Sequence, residues 1–185
     1  MTPLESLRLT ARAFRLDDAG WARHANPWSA WTRLPILPAI TLLLLARESL
    51  GWWVLPGLCV AVLWAFVNPR AFPPPPNARA WASRAVLGER LWLAPETKVP
   101  VAVAGAVRKV MAVQILGMLP LILGLWRLDT GLALLGLVLV LGGKMLFLQV
   151  MVRFWDRHGD GALPGQPSPP PRQSNSPPGN GAAMG

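Results

Sequence analysis

The stretch LGWWVLPGLCVAVLWAFV, residues 50–67, decides the fold, because it carries no charge over a length that suits a lipid bilayer. A helix that spans a membrane needs about 20 predominantly apolar residues. Trp52, Trp53 and Trp64 lie towards the two ends of this stretch, and aromatic side chains are typical of the two membrane–water interfaces. The stretch therefore predicts a transmembrane helix.

Three further apolar stretches indicate that the chain crosses the membrane four times. The first, residues 34–46, is short, but a helix starting at Asn26-Pro27 would extend it back to residue 28. Short polar turns separate the first stretch from the second and the third from the fourth. We predict an all-α membrane protein whose four transmembrane helices form two hairpins, accompanied by interfacial amphipathic helices. The predicted transmembrane domain covers residues 21–158, with spans at 28–46, 50–67, 110–126 and 131–152 and a cytoplasmic loop at 68–109.

The composition supports a membrane protein and limits the kinds of partner. Of the 185 residues, 52% are hydrophobic and 15% are charged, whereas soluble domains carry about 25% charged residues. The net charge of +9 suits a chain whose Lys and Arg residues attract anionic lipid. No nucleic-acid-binding motif is present, so we expect no nucleic-acid partner. One cysteine, Cys59, and two distant histidines make no metal site, and we expect neither metal nor cofactor.

The distribution of basic residues predicts the orientation. Lys and Arg are concentrated in the N-terminal region, the long loop and the tail, while the two short turns contain only Arg47 and Arg127. Cytoplasmic loops carry the excess of Lys and Arg in membrane proteins. We therefore expect both termini and the long loop to be cytoplasmic.

Three polar segments lie outside the predicted spans. The N-terminal segment, residues 1–20, is expected to hold an interfacial helix at residues 2–16, because arginines form one stripe on an otherwise apolar helix, although a solvated helix is the alternative. Residues 78–93 predict a second helix, and a face bearing Trp81 and Trp92 suggests that it lies on the membrane. Residues 159–185 are rich in Pro, Gly and Ser, which predicts disorder.

Several residues within the spans carry specific expectations. We expect Pro38 to bend the first span and the Arg33 side chain to snorkel out of it. Glycines recur seven residues apart on each of the last two spans; they could let these helices approach closely, or simply reflect the frequency of glycine in membrane helices. These glycines are Gly117, Gly124, Gly136 and Gly143.

Two residues are candidates for acid–base catalysis. His24 could be a base or a metal ligand, although a histidine without a partner at helical spacing more often caps a helix. Glu89 could be a general base, or it could pair with Arg84 or Arg90. Neither residue belongs to a recognisable catalytic motif.

The arginines and asparagines near the spans suggest lipid binding or helix capping. Arg70, Arg84 and Arg90 are candidates for holding a lipid phosphate, which a guanidinium can bind through two parallel hydrogen bonds. Asn26 is expected to start the first span. Asn68 is expected to cap the carbonyls at the end of the second span, with the following proline stopping the helix.

Lys144 is the one charged residue well inside a predicted span. A charge in this position is a functional hypothesis by default, although a lysine can partly snorkel to the interface. No acidic partner is expected at its depth, and Gln114 is its expected polar neighbour if the helices pack as hairpins.

Three motifs together resemble an uncharacterised family of small bacterial membrane proteins, a domain of unknown function. They are HANPWSAWTR at residues 24–33, NPRAFPPP at 68–75 and WASRAVLGER at 81–90, the last followed by Trp92-Leu93. The resemblance runs from about Trp21 to Trp155. It implies a location in the bacterial inner membrane and no particular chemistry.

We expect a non-enzymatic membrane module that binds anionic lipid or a partner protein, either a membrane protein or a second copy of the chain. A small membrane enzyme acting on a lipid or isoprenoid head group is the first alternative. An oligomeric channel or small transporter that uses Lys144 is the second.

Overall fold

The computed structural model describes residues 17–165, and every regular element in that range is a helix. The α-helices are α1 Asp18–His24, α2 Pro27–Trp31, α3 Ile36–Leu45, α4 Arg47–Leu50, α5 Val54–Ala71, α6 Trp81–Leu93, α7 Val101–Arg127 and α8 Thr130–His158. A 3-10 turn, Gly51–Trp53, joins α4 to α5. The helix predicted at residues 2–16 lies outside the described residues.

Four helical segments are long and apolar enough to cross a membrane, which confirms the predicted number. They are Pro27–Leu45, Arg47–Ala71, Val101–Arg127 and Thr130–His158, with lengths of 19, 25, 27 and 29 residues. The helix of the third span begins at Val101, nine residues before the predicted span, so part of the predicted loop is helical. These are the features of a multi-pass membrane protein.

The first span consists of two helices, α2 and α3, rather than one helix bent at Pro38. Asn26 caps α2 as predicted, since its side chain accepts a hydrogen bond of 2.9 Å from the Trp28 N–H. The helix is interrupted before Ile36, and Pro38 falls within the first turn of α3. Backbone N–H groups there have no partner within the helix, so a proline is accommodated without a bend.

The prediction that α5 ends at Asn68 is wrong, because the helix continues through Pro69 to Ala71. The Asn68 side chain does not cap this helix. It accepts a hydrogen bond of 2.8 Å from the Ser29 hydroxyl and donates one of 2.7 Å to the Thr32 hydroxyl. Ser29 and Asn68 are fully buried, so these bonds satisfy polar groups that water cannot reach. Two of the sequence motifs are thereby joined.

Helices α7 and α8 pack closely along the glycines identified in the sequence. A Cβ atom added to Gly124 or Gly136 would overlap backbone atoms of Ala133 or Leu121, respectively. Gly117 and Gly143 likewise face residues of the opposite helix. The packing interpretation of these glycines is confirmed, because only a residue without a side chain permits such an approach.

Helix α6 packs mainly against α8, and the face predicted to lie on lipid is instead covered by protein. Trp92 is 4% exposed and belongs to a cluster that includes Phe147 and Met151. A Cβ atom on Gly88 would overlap the Met151 carbonyl group, so the two backbones are in close contact. Indole rings suit a protein core as well as a membrane interface, so the tryptophans of α6 did not distinguish the two environments.

The turn between the first two spans is attached to the end of α7. The Arg47 guanidinium donates hydrogen bonds to the carbonyls of Leu44, Leu125 and Trp126, at 3.0, 2.5 and 3.0 Å. The last carbonyls of a helix have no partner within it and carry partial negative charge, so an arginine stabilises this end. Trp52, in the adjoining 3-10 turn, is 86% exposed, as a residue of an aromatic belt would be.

The chain after α8 turns back onto the protein, at least as far as residue 165. Leu163 is 4% exposed and packs with Trp21, Ala25 and Leu87. Disorder was predicted for residues 159–185, and the described part of the chain ends at residue 165, within that segment. Residues 166–185 lie outside the described range.

Candidate functional site

A partly open cavity of about 290 Å³ lies between the first span, α6 and the last two spans. Its polar lining consists of His24, Arg33, Glu89, Gln114 and Lys144. Four of these residues were singled out in the sequence as candidates, although they are up to 120 positions apart. The structure brings them to one place because α6 crosses α8 beside the junction of α1 and α2.

His24 and Arg33 form one side of the cavity. A guanidinium nitrogen of Arg33 lies 2.8 Å from His24 Nε2, and Arg33 Nε donates to the Ser29 carbonyl at 2.8 Å. Arginine only donates hydrogen bonds, so Nε2 must be the acceptor and the proton of a neutral imidazole is on Nδ1. His24 Nδ1 is buried and has no hydrogen-bond partner among the described residues.

The surroundings of His24 favour its neutral form. Burial lowers the pKa of the imidazole from its usual 6.5 to about 3, and the positive charges of Arg33 and Lys144 act in the same direction. At neutral pH the ring is therefore uncharged. It can accept a proton only at a considerable free-energy cost.

Lys144 also lines the cavity, half-buried on α8. Its ammonium group is 4.9 Å from the centre of the Phe147 ring, a cation–π contact. Within residues 17–165 it makes no ion pair or hydrogen bond. Gln114 lines the same cavity, as predicted, but no hydrogen bond joins it to Lys144.

Glu89 is also half-buried in this cavity. It lines the same cavity as Lys144, for which no acidic partner was expected, and no ion pair joins the two among the described residues. Glu89 pairs with neither of its neighbouring arginines: Arg84 binds Asp156 at 2.9 Å and Arg90 binds Asp18 at 2.7 Å. No hydrogen bond or ion pair of Glu89 is present in the described part of the chain.

The other candidates lie outside the cavity. Arg70 is exposed, with a contact of 3.5 Å to the Phe66 carbonyl. Arg84 and Arg90 are held in the ion pairs just described. Asn26 connects the start of α2 to the proline-rich loop, since its side chain donates to the Pro73 carbonyl at 2.9 Å. The contacts of Asn26 and of the buried Asn68 hold segments of the chain together, and neither residue lines the cavity.

Arg33 is the member of the cavity that sequence reasoning misplaced. It was expected to snorkel out of the first span, but it lies half-buried beside His24. The sequence feature that could have indicated this contact is the occurrence of His24 and Arg33 within one ten-residue motif. Among the described residues, no group of three His, Cys, Asp or Glu side chains could hold a metal ion.

No curated protein and no solved structure matches this chain. One family model does, over residues 6–172, and its description is a family of unknown function. The match includes all five polar residues of the cavity and the three motifs on which the resemblance was based. The chain therefore belongs to the family of unknown function DUF6653.

Proposed function

We propose that this protein is a non-enzymatic membrane module that binds the head group of an anionic lipid in the cavity. The observation that carries the proposal is Lys144, a half-buried ammonium without an ionic partner in the described chain, facing a space that a ligand can occupy. A charged group without an ion-pair partner within a span is costly. An anionic ligand would offset that cost.

The charges around the cavity favour an anion. Arg33 and Lys144 are positive, Glu89 is negative and His24 is neutral, so the lining carries one net positive charge. A phosphate-containing head group could contact Lys144 and Arg33 Nη2, the guanidinium nitrogen that is not bonded to His24 or Ser29. The phosphate-binding arginines predicted from the sequence are replaced in this proposal by Arg33 and Lys144.

The size and apolar lining of the cavity favour a lipid. A volume of about 290 Å³ is at the lower end of the roughly 300–1,000 Å³ typical of small-molecule sites, so it suits a head group rather than a whole lipid. Leu34, Leu37, Val140 and Leu141, all from membrane-spanning segments, line the same cavity. Acyl chains could continue along these residues into the bilayer.

We further propose that the spans form two hairpins in a bacterial inner membrane, with both termini and α6 on the cytoplasmic side. The distribution of Lys and Arg supports this orientation. The cavity would then receive lipid from the cytoplasmic leaflet, whose anionic lipids attract basic segments.

Binding of phosphatidylglycerol to the full chain in phosphatidylcholine nanodiscs tests the proposal. We expect Lys144→Met to weaken binding about tenfold or more, because a charge-assisted contact is worth about 1.5–3 kcal/mol. Lys109→Met is the matched control: it removes the same charge from an exposed position on α7 and should change affinity little. Equal affinities of wild type and Lys144→Met would contradict the proposal.

One observation favours an enzyme acting on the head group as a second candidate. His24 and Glu89, the two predicted acid–base residues, line the same cavity. Incubation of reconstituted protein with radiolabelled phosphatidylglycerol decides between the two functions. Release of a labelled product by wild type but not by His24→Gln would support the enzyme, and intact lipid would support the binding module.

A further inference from the structure

We propose that Glu89 makes the cavity selective for anionic head groups that carry a hydroxyl donor, which identifies the ligand class as a phosphodiester with a polyol. The inference rests on the proposed function, since it concerns the same cavity. It starts from a carboxylate that lines the cavity and makes no hydrogen bond or ion pair within the described range. A hydrogen-bond donor for this carboxylate must come from the ligand or from water.

The arginines next to Glu89 in sequence are not available to neutralise it. Arg84 and Arg90 are engaged with Asp156 and Asp18 on other segments. Arg33 attracts Glu89 electrostatically, but its hydrogen bonds are directed to His24 and to the Ser29 carbonyl. Glu89 therefore stays an acceptor without a donor.

Glu89 is also held in position by a well-packed helix. Its neighbour Gly88 is in backbone contact with Met151, and Leu87 is 1% exposed on the other side. This packing fixes the backbone at Glu89 and so limits the positions that its carboxylate can reach. A selective binding site requires such a restriction.

Charge and hydrogen-bond chemistry then specify the ligand. An ionised carboxylate only accepts hydrogen bonds, so the ligand must bring a donor. A phosphodiester has one negative charge, which cancels the one net positive charge of the lining. A neutral hydroxyl preserves this balance, whereas an ammonium group would leave the positive charge uncompensated. The phosphodiester would contact Lys144 and Arg33, and the hydroxyl would contact Glu89.

Two anionic lipids, one with hydroxyl donors in its head group and one without, test this inference. Phosphatidylglycerol and phosphatidylmethanol are phosphodiesters of the same charge, but phosphatidylmethanol has no hydroxyl group. We expect wild type in phosphatidylcholine nanodiscs to bind phosphatidylglycerol about tenfold more tightly, the value of one hydrogen bond to a charged group. Equal affinities would overturn the selectivity. This comparison needs no variant, so it does not depend on how a variant folds.

The variant Glu89→Gln tests whether Glu89 itself contacts the hydroxyl group of the ligand. Removal of the negative charge should raise the affinity for phosphatidylmethanol, while the neutral amide reduces the preference for phosphatidylglycerol to about threefold or less. Glu96→Gln removes the same charge from an exposed residue outside the cavity and should keep the wild-type preference. An unchanged preference in Glu89→Gln would overturn the role of this residue.

The results also distinguish this inference from the proposed function. Equal binding of both lipids that is lost in Lys144→Met would overturn selectivity by Glu89 and leave the lipid-binding function standing. No preference for either lipid over phosphatidylcholine would overturn both. Glycerophosphoglycerol, the soluble head group, is added as a competitor: displacement at concentrations equal to those of the lipid would support the recognition chemistry but overturn a lipid as its source.

Discussion

His24 illustrates how its surroundings determine the state of a single residue. The side chain is 9% exposed, and one ring nitrogen accepts a hydrogen bond from a positively charged arginine. Protonation would place a second positive charge beside the first in a buried position. The folded protein therefore holds the ring neutral at a pH where an exposed histidine would be largely protonated.

This difference predicts a loss of stability in acid. The unfolded chain protonates His24 near pH 6.5 and the folded chain only near pH 3, so the unfolded state binds more protons between these values. His24 then destabilises the fold progressively as the pH falls below about 6.5, by about 2 kcal/mol at pH 5, and has no such effect above it.

Thermal unfolding in detergent at pH 7 and pH 5 measures the effect. His24→Gln keeps an acceptor for Arg33 but cannot be protonated, so its midpoint should fall less between the two pH values than that of wild type. His158→Gln, at the exposed end of α8, is the control and should behave like wild type. Parallel pH profiles for wild type and His24→Gln would refute this account.

At the scale of residues, the sequence indicated which polar groups were unusual but not that they meet. Lys144 was notable as a charge in an apolar span. His24 and Glu89 were notable as isolated titratable groups within two of the three sequence motifs. Their proximity depends on α6 folding over α8, a contact between parts of the chain that no local pattern encodes. Asn68 was misassigned for the same reason, since its partners Ser29 and Thr32 precede it by 39 and 36 positions.

The pairing of α7 with α8 could be predicted at the scale of elements, because its signal is local. Glycines at a spacing of seven residues fall on one face of each helix, and they lie at the interface. Placement of α6 could not be predicted in this way. Its face of tryptophan and small residues suits a lipid surface and a protein surface equally, and only the second is observed.

Two glycines of α8 provide a matched test of this packing. A Cβ atom on Gly136 would overlap the Leu121 backbone, whereas one on Gly142 meets nothing within 4 Å. We expect Gly136→Ala to destabilise the protein by about 1–3 kcal/mol through overpacking. Gly142→Ala should be neutral or stabilising by up to about 1 kcal/mol, because alanine favours the helix. Equal unfolding midpoints for both variants would contradict close packing at Gly136.

At the scale of the whole molecule, the number of spans follows from apolar length alone and was predicted correctly. The residues at which the spans begin and end were harder to predict. Helix α7 extends beyond the predicted span because the apolar residues 101–107 continue the helix before Arg108 and Lys109. A bend was predicted at Pro38, whereas the first span is interrupted before Ile36.

The proposed orientation predicts which positions reagents can reach from outside the cell. In a Cys59→Ala background, Glu48→Cys in the first short turn should react with a membrane-impermeant maleimide on intact cells. Glu96→Cys, in the connection between α6 and α7, should react only after the membrane is opened. Both native residues are exposed, so accessibility of the side chain is not in question. The reverse labelling pattern would invert the proposed topology.

The contact between Arg47 and the end of α7 has a consequence for biosynthesis. Arg47 precedes its acceptors at Leu125 and Trp126 by 78 and 79 residues. At roughly 5–20 residues per second, a ribosome needs roughly 4–16 s to make the intervening chain. Throughout that interval the first two spans must be retained in the bilayer by their own apolar surface, with a positive charge in the turn between them. The hydrogen bonds of Arg47 are therefore a late event in assembly, which secures spans that are already inserted.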